Sequence, residues 1–131
     1  MIRVSAPILL AAAAGLLIAL APAAAADVTS LTADPGLSWG PSSRYGTSCS
    51  YQLTAATNTG AKVSFYDFTE AATFAPSNYV DSVNGVATVR WTPTRPGAHR
   101  IVAYQTSAGG PEITLQVGTG INAGSACLVL P

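Results

Sequence analysis

The chain has 131 residues, of which 49% are hydrophobic and 9% charged, and its six basic and six acidic groups leave no net charge. That balance offers no field to steer nucleic acid or an anionic membrane surface. The scarcity of Glu, Lys and Arg argues against the charged surfaces of helical domains and suits strands and turns.

The N-terminus carries one basic residue, Arg3, then the apolar run "ILLAAAAGLLIAL" (8–20), then "APAAAA" before Asp27. A short basic region, an apolar core and an A-x-A site describe a secretory signal peptide. Residues 1–26 are therefore expected to be a cleaved signal peptide and 27–131 the exported domain, secreted or associated with the cell envelope. The apolar run is shorter than the roughly 20 residues of a membrane span, so no stable membrane insertion is expected after cleavage. About 105 residues then remain, one domain by size. Their basic residues (44, 62, 90, 95, 100) and acidic residues (27, 34, 67, 70, 81, 112) give a net charge near −1.

From Asp27 the chain reads as short alternating runs broken by turn signals, the pattern of a β-sandwich or barrel. "DVTSLTA" (27–33) is a first strand, and "DPGLSWGPSSRYGTS" (34–48) a long connection rich in Pro, Gly and Ser. In "CSYQLTAAT" (49–57), Cys49, Tyr51, Leu53 and Ala55 make one buried face. "AKVSFYDF" (61–68) puts Val63 and Phe65 inward and Lys62, Ser64 and Tyr66 outward. A weaker strand covers "AATFAP" (71–76), and Asn84-Gly85 is a hairpin-type turn. "VATVRW" (86–91) turns Ala87, Val89 and Trp91 inward. "TPTRPG" (92–97) holds two prolines that cannot donate to a ladder and is expected to be a loop, with Pro96-Gly97 at a type II turn. "AHRIVAYQ" (98–105) resumes the alternation, and "EITLQV" (112–117) buries Ile113, Leu115 and Val117.

Cys49 and Cys127 are the only cysteines, and in an exported protein such a pair reads as a disulfide. Closing so long a loop contributes about 4–5 kcal/mol in the chain-entropy description. A metal or redox site would need closer spacing or more ligands, so no metal and no cofactor is expected. The tail "GTGINAGSACLVLP" then reads as a strap tied back to the second strand, covering an edge or a core opening.

The segments "AKVSFYD", "NGVATVRWTPTRPGAHRIVA" and "EITLQV" resemble the bacterial immunoglobulin-like repeat domains of exported and cell-surface proteins, those of actinomycetes among them. Those domains show a V-x-F-Y-D strand, a G-x-A-x-(V/L)-x-W strand, a T-P-x-x-x-G corner and a G-x-H/Y-x-I-x-A strand. The resemblance covers about residues 45–117. It implies an all-β fold: an immunoglobulin-like antiparallel β-sandwich of about seven strands with a disulfide-tied C-terminal strap. It also implies a spacer, adhesive or carbohydrate-associated role, and it supplies no catalytic residue. The chain departs from the pattern in three ways. It holds one copy, Cys127 lies beyond the last strand, and Tyr104 stands beside the position where the family's aromatic would coincide with Gln105.

His99, in phase with Ile101 and Ala103, is expected inward and bonded to the corner loop. A hydrolase triad would need it exposed beside a nucleophile on a sharp turn, and no G-x-S-x-G elbow is present. Asp67 and Glu70 are read as turn and surface residues, Arg90, Arg95 and Arg100 as a solvated face, and Trp91 as the core tryptophan. One surface stands out. If the strands at 61–68, 98–105 and 112–117 share a sheet, Tyr66, Arg100, Val102 and Tyr104 form an apolar centre with a polar rim, the anatomy of a partner face. The expected function is non-catalytic: a binding, interaction or structural module at or outside the envelope, with an unknown protein or envelope glycan as partner. A small carbohydrate- or peptidoglycan-binding module is the alternative, with Trp39 and nearby Tyr45 as the glycan contacts, and a hydrolase ranks behind it.

Overall fold

A computed structural model describes residues 27–131; the expected signal peptide lies outside the described residues. The strands are β1 (Val28–Asp34), β2 (Ser38–Trp39), β3 (Tyr45–Gly46), β4 (Tyr51–Thr57), β5 (Val63–Asp67), β6 (Ala72–Ala75), β7 (Tyr79–Val80), β8 (Val86–Pro93), β9 (Gly97–Tyr104), β10 (Glu112–Asn122) and β11 (Cys127–Leu130). They form two sheets. One has the order β1-β4-β8-β6; the other runs β2-β11-β10-β9-β5-β7, with β3 also paired to β10. The order β1-β4-β8-β6 opposite β10-β9-β5 is that of the A-B-E-D and G-F-C sheets of an immunoglobulin-like sandwich. The fold is thus an all-β, immunoglobulin-like sandwich.

Alternation builds the core. Leu53 and Ala55 of β4 and Ala87, Val89 and Trp91 of β8 face Val63 and Phe65 of β5 and Ile101 and Ala103 of β9. At the β7–β8 corner, Val83 bridges Val86 across Asn84 and Gly85, whose φ values of 53° and 77° are the left-handed pair a tight hairpin requires.

Two expectations need correction. Residues 92–97 are a loop only in part, because β8 continues through Pro93, opposite Ala72 of β6. The Pro93 carbonyl points away from β6 and accepts the Ser48 N–H at 3.0 Å. The proline nitrogen points to that same side, where the ladder with β4 has already ended at Trp91, so no ladder bond is lost. The connection at 34–48 holds two short strands, β2 and β3, which pair in parallel with β11 and β10.

The C-terminal strap resolves into structure. β10 runs five residues past the expected end at Val117, and its alternation slips where Val117 and Gly118 are both buried, so Thr119 and Ile121 then point outward. A Cβ on Gly120 would lie 2.3 Å from the Thr47 carbonyl oxygen, so glycine there is what lets the β3 segment approach. β11 folds back on β10, pairs with β2, and inserts Val129 into the core. The strap both extends a sheet and closes the core. Cys127 of β11 is bonded to Cys49 just ahead of β4, 78 residues away, so the disulfide joins the two sheets.

Candidate functional site

The titratable centre of the molecule is buried. Asp67, at the end of β5, is read from sequence as a turn and surface residue, but it is 2% exposed. Its Oδ2 accepts the Trp91 Nε1–H at 2.9 Å from the opposite sheet and lies 2.6 Å from His99 Nδ1. Its Oδ1 accepts the backbone N–H and the hydroxyl of Thr69 at 2.9 and 2.7 Å. Burial pushes the Asp67 carboxyl up, but the bonds from His99, Thr69 and Trp91 outweigh it and hold the carboxyl below the ordinary carboxylate value. His99 Nε2 donates to the Arg95 carbonyl at 2.7 Å. Both ring nitrogens of the imidazole thus face acceptors inside the core. A hydrolase using His99 as an exposed base finds no such base here. The cluster ties β5, β8, β9 and the connection between β8 and β9 into one end of the sandwich.

The outer face of β5, β9 and β10 brings together part of the expected partner surface. Registration sets Tyr66 opposite Val102 and Val102 opposite Glu112. Val102 is only 6% exposed, so its expected place in an exposed apolar centre is corrected: flanked by Tyr66 and Glu112, it lies beneath the surface. Tyr104 is half-buried. Tyr66 remains exposed, and beside it stands Phe68, a residue the sequence reading passed over. The two rings meet edge to face with centroids 5.1 Å apart. The Arg100 guanidinium lies 4.0 Å above the Phe68 ring, and its Nε is 3.4 Å from Glu112 Oε1. The Tyr66 hydroxyl donates to Glu70 at 2.7 Å, and that bond raises the phenol above its ordinary value. The signal for Phe68 was its place two residues beyond Tyr66, on the same face of an alternating run.

The expected glycan pair does not form. Trp39 is 56% exposed on β2. Tyr45 is half-buried, with its ring in edge contact with Tyr51 at 4.9 Å and Trp91 at 6.1 Å, and burial raises its phenol. Tyr45 of β3 packs inward, in register with buried Val117 of β10. Trp39 instead stands in register with Leu128 of β11, which stands in register with Ile121 of β10. Beside the disulfide, a cleft of about 430 Å³ is lined by Asp34, Gln52 and Arg90, which form one cross-strand row, together with Ser50, Asn122 and Ser125. Arg90 donates to the Ser50 carbonyl at 2.9 Å.

No family model matches the chain. No curated protein sequence matches it. Among solved structures it is similar to the D00–D0 domain of intimin, at a TM-score of 0.49 and 20% identity. That match covers 67% of this chain and 46% of the intimin chain, so it spans less than half of that structure's length.

Proposed function

We propose that this chain is an exported, immunoglobulin-like module, of the kind found in actinobacterial exported proteins, that binds a protein partner at or outside the cell envelope without catalysing a reaction. The observation that carries the reading is the exposed Tyr66–Phe68 pair capped by the Arg100 guanidinium, with Glu70 and Glu112 at its rim. Tyr and Arg dominate the energetic centres of protein interfaces, and a polar rim around an aromatic centre is their usual anatomy. Export is supported by the leader pattern of residues 1–26 and by a disulfide of the kind that persists in oxidising compartments. The position of His99, closed in on both nitrogens, supports a structural role for it rather than a catalytic one.

The test is affinity capture from the producing cells with the exported protein and with a Tyr66→Ser/Phe68→Ser variant. A protein partner retained by the first and lost by the second, with the variant's melting temperature unchanged, supports the reading. Retention on insoluble cell wall that the variant leaves intact would overturn it in favour of a glycan-binding module centred elsewhere, with Trp39 the first residue to replace.

A further inference from the structure

Among the described residues, half of the large exposed hydrophobic side chains lie on or beside the strap: Leu37, Trp39, Ile121, Leu128 and Leu130. Trp39, Leu128 and Ile121 form a straight cross-strand row over β2, β11 and β10, and Leu130 lies two residues along β11 on the same side. Leu37 stands two residues before Trp39 and accepts the Cys127 N–H. The inward residues of the same strands, Ser38, Cys127 and Val129, are buried, so the apolar row is the strand pattern's outward half rather than a gap in the core. The row itself carries no charged side chain. We propose that this strap face is a self-association interface, on which a second copy of the chain packs face to face.

Three features select a second copy as the occupant. The row is uncharged and centred on Leu128, so a two-fold related copy presents the same apolar surface in return, as an isologous contact requires. Residues 27–131 carry five basic and six acidic groups, and so small a net charge does little to hold copies apart. The area also fits. Five half-exposed side chains of this size leave on the order of 400–500 Å² of apolar surface, within the range of a monomer's largest and often functional patch. Two such patches contribute roughly 900 Å², and the rim around Thr119 brings the contact toward the ~1,200 Å² at which specific interfaces begin. The association would therefore be reversible and concentration-dependent. It joins sheet faces rather than edges, because β2 offers only two residues for edge pairing. This face is separate from the Tyr66–Phe68 cluster, so it stands or falls independently of the partner proposed for that cluster.

The experiment is sedimentation equilibrium of the exported, disulfide-bonded protein from about 1 μM to about 1 mM. A monomer–dimer equilibrium is expected, and Leu128→Glu, at the centre of the row, raises its dissociation constant at least about tenfold. Trp39→Glu does the same. Val83→Glu serves as control, because Val83 is also apolar and is more exposed than Leu128 but lies at the hairpin tip between β7 and β8. Each variant is accepted only if its thermal melt stays cooperative. A protein that is monomeric across the whole range, or a dimer weakened as much by Val83→Glu as by Leu128→Glu, overturns the proposal.

Discussion

His99 Nδ1 lies 2.6 Å from Asp67 Oδ2, and both side chains are shut inside the sandwich. The Asp67 carboxylate already accepts bonds from Trp91 and twice from Thr69, and the Arg95 carbonyl facing His99 Nε2 can only accept. The imidazole is thus held between two acceptors, the Asp67 carboxylate and the Arg95 carbonyl, inside the core. Removing one member of such a buried network leaves its partners without a bond or solvent. Trp91 extends the consequence across the sandwich, because its indole N–H is the polar tie from β8 to β5.

Asp67→Asn should therefore be among the most damaging substitutions in the molecule. It removes the buried carboxylate's charge and replaces one of its acceptor oxygens with a donor amide, against Trp91 and Thr69 groups that donate. A loss of about 3–5 kcal/mol is expected. A urea midpoint that moves by less than the equivalent of about 1 kcal/mol would show that the cluster is dispensable.

The same carboxyl sets an acid limit. Its folded-state value lies below the ordinary one, so its contribution is fully present above the unfolded value of about 3.9 and is lost as pH falls through the folded value. Stability should thus decline with acidification below about pH 4. Asp67→Asn should flatten that part of the profile, which chemical denaturation at successive pH values would show. An unchanged slope would assign the acid sensitivity to other carboxylates.

The disulfide between Cys49 and Cys127 closes a loop of 78 residues and ties the strap to the β4 side of the core. Its removal by the Cys49→Ala/Cys127→Ala pair should cost about 4–5 kcal/mol in the chain-entropy description, a large part of a small domain's stability. β11 also keeps its backbone pairing with β10 and β2, and Val129 remains a core residue. The expected product is a weakened but folded domain. Far-ultraviolet circular dichroism and a lowered urea midpoint would show this, whereas a midpoint equal to that of the intact protein would contradict it.

How far the sequence disclosed this molecule depended on whether the deciding contacts were local. Alternation alone placed Val63 and Phe65, Ala87, Val89 and Trp91, and Ile101 and Ala103 on inner faces, and there they lie. The turn at Asn84-Gly85 was equally plain, because its two left-handed residues are a local demand. What escaped was set by partners distant in the chain. β2 and β3 are two-residue strands that exist only because β11 and β10 pass beside them. Asp67 looked like a turn residue because the groups that neutralise its burial, Trp91 and His99, arrive from other strands. Val102 was legible as outward-facing, but its cover by flanking residues was not. "CLVL" shows no alternation in its sequence, all four residues being apolar, yet in the strap Leu128 and Leu130 lie outside and Val129 within.

The glycines of the strap give the last test, because they lie beyond the expected strand end at Val117 and permit its continuation. Gly120 sits where a Cβ would meet the Thr47 carbonyl oxygen at 2.3 Å and the Gly46 backbone at 2.8 Å. Backbone cannot retreat as a flexible side chain can, so Gly120→Ala must push β3 off β10 or bend β10 itself. The cost should be about 1–3 kcal/mol, the range for overpacking a tight site. Gly60 supplies the contrast, since nothing lies within 4 Å of its would-be Cβ and its φ is not in the left-handed region. Gly60→Ala should be neutral or should stabilise by up to about 1 kcal/mol, through the reduced freedom of the unfolded chain. Thermal melts of the two variants beside the parent decide the matter. Equal midpoints would mean that the β3–β10 approach is loose enough to admit a methyl group, and that glycine is not what allows β10 to run to Asn122.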